Sequence, residues 1–447
     1  MLMKESCYNL FIIDGGNKSI IYNTLWNNVI LIKSKDIGKW GIKDLYHIDV
    51  GEIADKYKSI LKEKKIIIDD DVDELVCIEE EYNKIKYDDS SFSIFVMPTL
   101  GCNFSCWYCY ENHSSNEKIS TQGILNIIDF TRKILNRNNK IQKIELNFFG
   151  GEPLLYFKAV MQPLIEKISH LTSDYGVRLL ISITSNGYLL TDRIISFLKG
   201  YELASIQITL DGNKERHNQV RNTSRGDDTY SVIVSNVRKC VSVGLPVSLR
   251  LNISEETDLN VEDLLADFSD LGESKPLLRF SVYKVWQAPD TLNPRIFEII
   301  KKIRNNGFYC SSYYTTSSSI KNLCYADKEN EIVVSPDGNV FKCTARDFKA
   351  GLADGRLKDG GEIEWTSNHK ERQVLSPLNN KECRRCRILP ICIGGCSQNI
   401  LEHNDSDTCI LGMDDEMKME YAKRVLYERL VSVEQNLKPQ NNKVKKS

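Results

Sequence analysis

The sequence predicts an α/β protein: a partial (β/α)6 barrel of the TIM type, preceded by a small α+β region and followed by a cysteine-rich C-terminal region. Three observations carry that prediction. Six short β-rich runs alternate with stretches of helical periodicity between Phe92 and Val282. The alternation stops after about Arg304, where a loop-rich region begins. The chain holds 14 cysteines, and most of them fall in two groups.

The elements follow in order. Residues 1–90 carry strand-like runs at Tyr8–Ile13, Ser19–Tyr22 and Val29–Ile32 and an acidic, helix-leaning stretch around Asp69–Tyr82, and Asp88–Ser91 reads as a connector. The barrel, residues 91–305, has strands at Ser93–Met97, Lys143–Phe148, Arg178–Thr184, Ser205–Leu210, Val247–Leu251 and Leu278–Val282. Helical periodicity lies between them at Thr121–Leu135, Phe157–Leu171, Asp192–Leu198, Tyr230–Val243 and Leu259–Phe268. Such alternation argues for parallel strands joined by right-handed crossovers. Six units suggest a partial barrel, although periodicity alone is compatible with an open doubly wound sheet. Residues 306–412 form the cysteine-rich region. Residues 413–447 add a helix, Asp414–Gln435, and a polar tail from Pro439.

Of the 447 residues, 41% are hydrophobic, enough for a sizeable core. A net charge of −2 and a pI near 6.4 give no electrostatic case for binding nucleic acid or an anionic membrane. The apolar start is broken at Asp14, too soon for a signal peptide, and no run of eighteen apolar residues occurs. A cytoplasmic protein is expected. In that reducing setting, clustered cysteines bind metal more often than they form disulfides.

The first group, Cys102-x3-Cys106-x2-Cys109 followed by Tyr110, comes directly after the first barrel strand. Three thiolates can hold three irons of a cubane and leave the fourth iron open, whereas four would close the site. An open metal position can bind and activate a substrate. Loops at the carboxyl ends of barrel strands are where catalysis collects. A zinc site, with His113 as the nearby extra ligand, or three buried thiols is the alternative.

This motif at this place resembles the radical SAM superfamily. The resemblance implies an iron whose open position is chelated by S-adenosylmethionine, and a 5′-deoxyadenosyl radical that abstracts hydrogen from the substrate. Later strand ends carry further similar elements. Gly150-Gly151-Glu152-Pro153 is similar to the family's GGEP motif: the glycines would let backbone carbonyls approach the cofactor's ammonium, and Glu152 could accept from it. An ordinary strand-to-helix turn would look the same. Thr184-Ser185-Asn186-Gly187 is similar to the TNG element, and Thr209-Leu210-Asp211-Gly212 to SLDG, where Thr209 keeps a hydroxyl for the ribose. Arg250 is a partner for the cofactor carboxylate or one half of a rim salt bridge.

The second group is Cys324-x13-Gly338-x4-Cys343, then Cys383-x2-Cys386-x5-Cys392-x3-Cys396, then Cys409. It is similar to the seven-cysteine SPASM signature. Gly338 sits in a turn expected to bring Cys324 and Cys343 together on adjacent strands. The resemblance implies two auxiliary [4Fe–4S] clusters, one held by Cys383, Cys386, Cys392 and Cys409, the other by Cys324, Cys343 and Cys396. The relatives' further cysteine is missing before Cys324, where Ser317–Ser319 stand. Either Cys310 ligates, with the Tyr313–Ser319 loop folded back, or one iron is open to a substrate thiolate. Two structural zinc sites are the alternative. Cys7, Cys77 and Cys240 match no motif and are expected to be buried structural thiols.

Auxiliary clusters suit a reaction in which an electron leaves the substrate after hydrogen abstraction. The resemblance implies a radical SAM maturase of peptides or proteins, commonly ribosomally made precursors that receive a thioether or carbon–carbon crosslink, fed by a reductant such as flavodoxin or ferredoxin. Residues 1–90 are then a candidate platform for the precursor's leader, which could add a strand to an exposed edge, or a plain structural extension. The alternatives are formylglycine formation, as in an anaerobic sulfatase maturase, and a non-enzymatic electron carrier or redox sensor. Trp107, Tyr110 and Asp211 are candidates to touch substrate, and no catalytic acid or base is named.

Overall fold

The computed structural model describes residues 2–14, 18–42, 47–111, 113, 117–257, 261–288, 293–312, 319–345, 348–403 and 408–437. Its contacts divide the chain into two units. One falls within Met1–Lys86, Tyr314–Cys324 and Val374–Ser447, the other within Tyr87–Tyr313 and Tyr325–Gln373. The stretch 306–412 is therefore shared between them.

In the first unit, β1 (Met3–Glu5) pairs with β5 (Ile67–Asp69), and β2 (Asn9–Asp14), β3 (Lys18–Asn23) and β4 (Asn28–Lys33) form an antiparallel sheet in that order. Helices α1 (Asp55–Glu63) and α2 (Glu74–Lys86) complete its N-terminal part.

The second unit is built on β6 (Ser91–Val96), α3 (Thr121–Arg137), β7 (Lys143–Phe148), α4 (Gln162–Asp174), β8 (Arg178–Ser185), α5 (Asp192–Leu198), β9 (Leu203–Leu210), α6 (Lys214–Val220), α7 (Thr229–Ser242), β10 (Val247–Ile253), α8 (Glu262–Ala266), β11 (Leu278–Lys284), α9 (Asn293–Asn305) and β12 (Tyr309–Ser312). Strands β6 to β12 lie side by side in sequence order, all parallel. An order that never reverses is barrel winding, since a doubly wound sheet turns back at a switch point. The repeat does not stop at six. Helix α9 inserts Ile299, Ile300 and Ile303 into the core, and β12 adds a seventh strand.

On the other edge, β13 (Glu331–Val334) pairs parallel with β6. It continues antiparallel through β14 (Asn339–Phe341), β15 (Gly355–Leu357) and β16 (Ile363–Trp365), and α10 (Ser367–Gln373) follows. Alternate strand residues such as Ile94, Ile144, Leu146 and Ile181 are buried against helix residues such as Ile127, Leu164 and Val237. The opposite face is polar, as with Ser93 donating to Glu145 at 2.8 Å.

The first unit resumes with α11 (Lys381–Arg385), α12 (Leu389–Cys392), α13 (Ser397–His403) and α14 (Asp415–Leu437). Leu10, Ile12 and Tyr22 of the N-terminal sheet pack with Ile388, Ile391, Ala422, Val425 and Leu426. Tyr8, Leu25, Ile78 and Tyr82 pack with Cys383, Leu389 and Ile393. The Thr24 hydroxyl donates to the Arg387 carbonyl at 2.7 Å. The N-terminal sheet thus forms one core with the last cysteines. The expected polar tail and Tyr313–Ser318 lie outside the described residues.

Candidate functional site

None of the fourteen cysteines is in a disulfide. Within the second unit, Cys102, Cys106 and Cys109 follow β6 on a loop whose backbone is held by the turn after β7. Gly151 N–H donates to Thr99 O (3.2 Å) and Glu152 N–H to Gly101 O (2.9 Å). A Cβ on Gly151 would fall 2.2 Å from Gly101 O, and one on Gly150, whose φ is +112°, 2.6 Å from Thr99 O. The two glycines thus admit the cysteine loop itself.

Glu152 is fully buried. It caps the turn that starts at Pro153 by accepting from Leu154 N–H (3.0 Å), and it accepts from the Ser185 hydroxyl (2.8 Å) and Asn186 N–H (2.7 Å). Both its oxygens are taken by the chain's own donors, so Glu152 ties the turn after β7 to the one after β8. Burial, partly offset by those donors, pushes its carboxyl up to about 7.

Asn186 reaches back to the cysteine loop. Its side-chain amide donates to Asn103 Oδ1 (2.8 Å) and lies 4.0 Å from Cys102 Sγ. Cys102 Sγ also accepts from Phe104 N–H at 3.4 Å. His113 Nδ1 donates to Leu100 O (2.8 Å), which leaves Nε2 to accept from the Cys109 thiol at 3.3 Å. Burial pushes the Cys102 thiol up to about 12 and raises Cys106 and Cys109 as well. Thiols in such surroundings keep their protons near neutral pH, and a metal that binds them as thiolates displaces those protons to solvent.

Beneath the loop lies a network the sequence did not announce. The Tyr108 hydroxyl donates to Asp211 Oδ2 (2.6 Å) and accepts from Arg221 (2.7 Å) and Asn252 (3.2 Å). Asn252 in turn accepts from Arg250 Nε at 2.9 Å, and the Arg250 guanidinium sits 4.6 Å over the Tyr283 ring. Arg250 therefore faces these groups. Thr209, its register partner on β9, is buried. Tyr110 stacks on Trp286 with ring centroids 4.9 Å apart, and Trp107 is exposed. Arg221 carried no sequence signal, because one arginine at a helix end reads as a surface charge.

In the first unit, Cys383, Cys386, Cys392 and Cys409 line one cavity. Asn380 ties together the segments that carry Cys383 and Cys409: its Oδ1 accepts from Cys383 N–H (2.9 Å) and its Nδ2 donates to Thr408 O (3.1 Å). Between Cys392 and Cys396 the backbone turns through three left-handed residues, Ile393, Gly394 and Gly395. A Cβ on Gly394 would meet Pro377 at 2.6 Å. Burial pushes Cys383 up to about 11 and Cys392 up to about 12.

Other expectations are corrected. Cys324 lies on no strand: the Gly338 turn joins β13 to β14, Cys343 follows β14, and Cys324 precedes the pair. Cys324 and Cys396 belong to the first unit and Cys343 to the second. Cys310, named as a spare ligand, sits on β12 in the barrel core at 1% exposure. Of Cys7, Cys77 and Cys240, only Cys240 is buried; Cys7 is exposed and Cys77 intermediate.

The profile of the radical SAM superfamily matches residues 96–268, from the end of β6 past α8. The barrel is a radical SAM domain. The chain is 24% identical over 392 residues to the radical SAM cyclopropyl synthase TigE of Paramaledivibacter caminithermalis, covering 79% of each chain. It is 23% identical to a cysteine-type anaerobic sulfatase-maturating enzyme of Clostridium perfringens, covering 77% of this chain and 99% of that one. Among solved structures, the enzyme anSMEcpe with bound AdoMet and peptide superposes with a TM-score of 0.56 at 20% identity. Streptococcus suis SuiB bound to the precursor peptide SuiA superposes at 0.52 and 14%, covering 92% of this chain.

The chain thus carries a radical SAM domain over residues 96–268. Its resident groups are S-adenosylmethionine, the [4Fe–4S] cluster that binds it, and auxiliary clusters. The residues fit them in donor chemistry: three thiols on one loop in one unit, and four thiols around one cavity with no histidine in the other. Among the described residues, no three His, Cys, Asp or Glu side chains close on a single metal ion, and no helix is long and apolar enough to cross a membrane.

Proposed function

We propose that this enzyme oxidatively modifies a ribosomally made peptide precursor, forming a thioether or carbon–carbon crosslink. When bound at Cys102, Cys106 and Cys109, the cluster and S-adenosylmethionine supply a 5′-deoxyadenosyl radical. The observation that carries this reading is the single assembly in which Gly150–Pro153 and Ser185–Asn186 clamp the cysteine loop at the carboxyl ends of β6, β7 and β8.

The chain's own residues then position and enclose. Glu152 and Asn186 fix the loop, and Thr209, next to last on β9, and Arg250, in the middle of β10, would hold the cofactor's ribose and carboxylate. The Tyr108–Asp211–Arg221–Asn252 network keeps the floor of the site rigid. Cys383, Cys386, Cys392 and Cys409 would hold one auxiliary cluster.

Peptide chemistry is supported by the peptide-bound relatives, and the coverage of SuiB favours a precursor over a sulfatase. Residues 1–90 are the platform for the precursor's leader, flavodoxin or ferredoxin is the reductant, and the location is cytoplasmic. The test is anaerobic incubation with dithionite, S-adenosylmethionine and peptides encoded beside the gene. The reading expects 5′-deoxyadenosine, absent in Cys102→Ala, and a peptide that has lost two hydrogens. A peptide aldehyde made from cysteine would move the assignment to formylglycine formation.

A further inference from the structure

We propose that Lys418 sets the reduction potential of the auxiliary cluster at Cys383, Cys386, Cys392 and Cys409, raising it. The inference rests on the ligand reading above. Lys418 lines the same cavity as the four thiols. It sits in the first turn of α14, where its N–H donates to Asp414 O at 2.9 Å. A cation at a helix N-terminus opposes the helix dipole, so this position is unfavourable for the helix alone.

Its side chain is 22% exposed, and its ion-pair partner Asp415, 3.4 Å away, is wholly in solvent and screened. Burial works against the ammonium, and Cys386, Asp415 and Cys409 each favour it. The other acid at the cavity is Glu382, beside Cys383. Most of the remaining wall is apolar, Ile388, Leu389, Leu411 and Met413 among it, which keeps the local dielectric low.

A [4Fe–4S] cluster on four thiolates gains one negative charge on reduction. A fixed cation beside two of its sulfurs stabilises the reduced form more than the oxidised one. The effect needs the charge to be present, not to titrate.

The test is an EPR-monitored redox titration of reconstituted protein in which Cys102, Cys106, Cys109 and Cys343 are alanine, leaving the four-thiol site intact. Lys418→Met should lower the midpoint potential, Lys418→Glu should lower it further, and Lys418→Arg should restore it, all at unchanged iron per chain. Equal potentials in all four proteins would overturn the proposal. If the alanine background holds no iron while the full chain does, the ligand reading fails instead. If that background does not fold, the intact holoenzyme serves: one of its reduction waves should move down in Lys418→Glu and not in Lys418→Arg, and waves that all stay in place would overturn the role of Lys418.

Discussion

Replacing Glu152 with glutamine should change how stability depends on pH. The buried carboxyl is raised from an ordinary 4.5 to about 7, chiefly because its surroundings desolvate the charge. Between those values the folded chain holds a proton that the unfolded chain has released. Stability from this group is therefore complete below pH 4.5 and falls as pH rises through 7. A gap of about 2.5 pH units at 1.36 kcal/mol each gives about 3 kcal/mol. Glutamine has no such proton, so the stability of Glu152→Gln relative to the parent should rise by about 3 kcal/mol between pH 4.5 and pH 7.5.

The assay is urea unfolding of the cluster-free, reduced chain, followed by tryptophan fluorescence at several pH values. Taking the difference between the two proteins removes the titration of other buried acids such as Glu111 and Asp211. Parallel curves, with a constant offset across the window, would refute the claim that this carboxyl carries the burial cost.

Gly151→Ala places a methyl against Gly101 O and Leu100 O, both backbone. The cysteine loop must move, and reconstituted iron should fall by about four per chain while the remainder stays; full iron content would show the loop to be more tolerant than its packing suggests. Tyr108→Phe removes a hydroxyl that serves Asp211, Arg221 and Asn252 together. It should cost roughly 2–4 kcal/mol in the same unfolding assay, and a loss below about 0.5 kcal/mol would mean the network is not held through Tyr108.

Much of the barrel was legible because strand and helix periods differ and the runs are long. Lys143–Phe148 and Asp192–Leu198 lie where the pattern put them. Strand β12 was not, since Tyr309-Cys310-Ser311-Ser312 is short and half polar, and its membership comes from pairing with β11. The cysteine motifs and the Gly-Gly-Glu-Pro turn were legible because their chemistry depends on spacing. Their mutual support was less so: Glu152 was read as facing the cofactor, and the structure turns it toward Ser185 and Asn186. The network of Tyr108, Asp211, Arg221 and Asn252 draws on four separate segments, and no local pattern could join them. The union of the N-terminal sheet with the last cysteines is likewise a contact between chain ends, invisible to periodicity.

The most direct test of the central claim is iron and acid-labile sulfide per chain after anaerobic reconstitution, in the parent and in the protein with Cys102, Cys106 and Cys109 replaced by alanine. Three clusters predict about twelve irons with matching sulfide in the parent and about eight in the variant. Stoichiometric zinc with no labile sulfide, or equal iron in both proteins, would contradict the account.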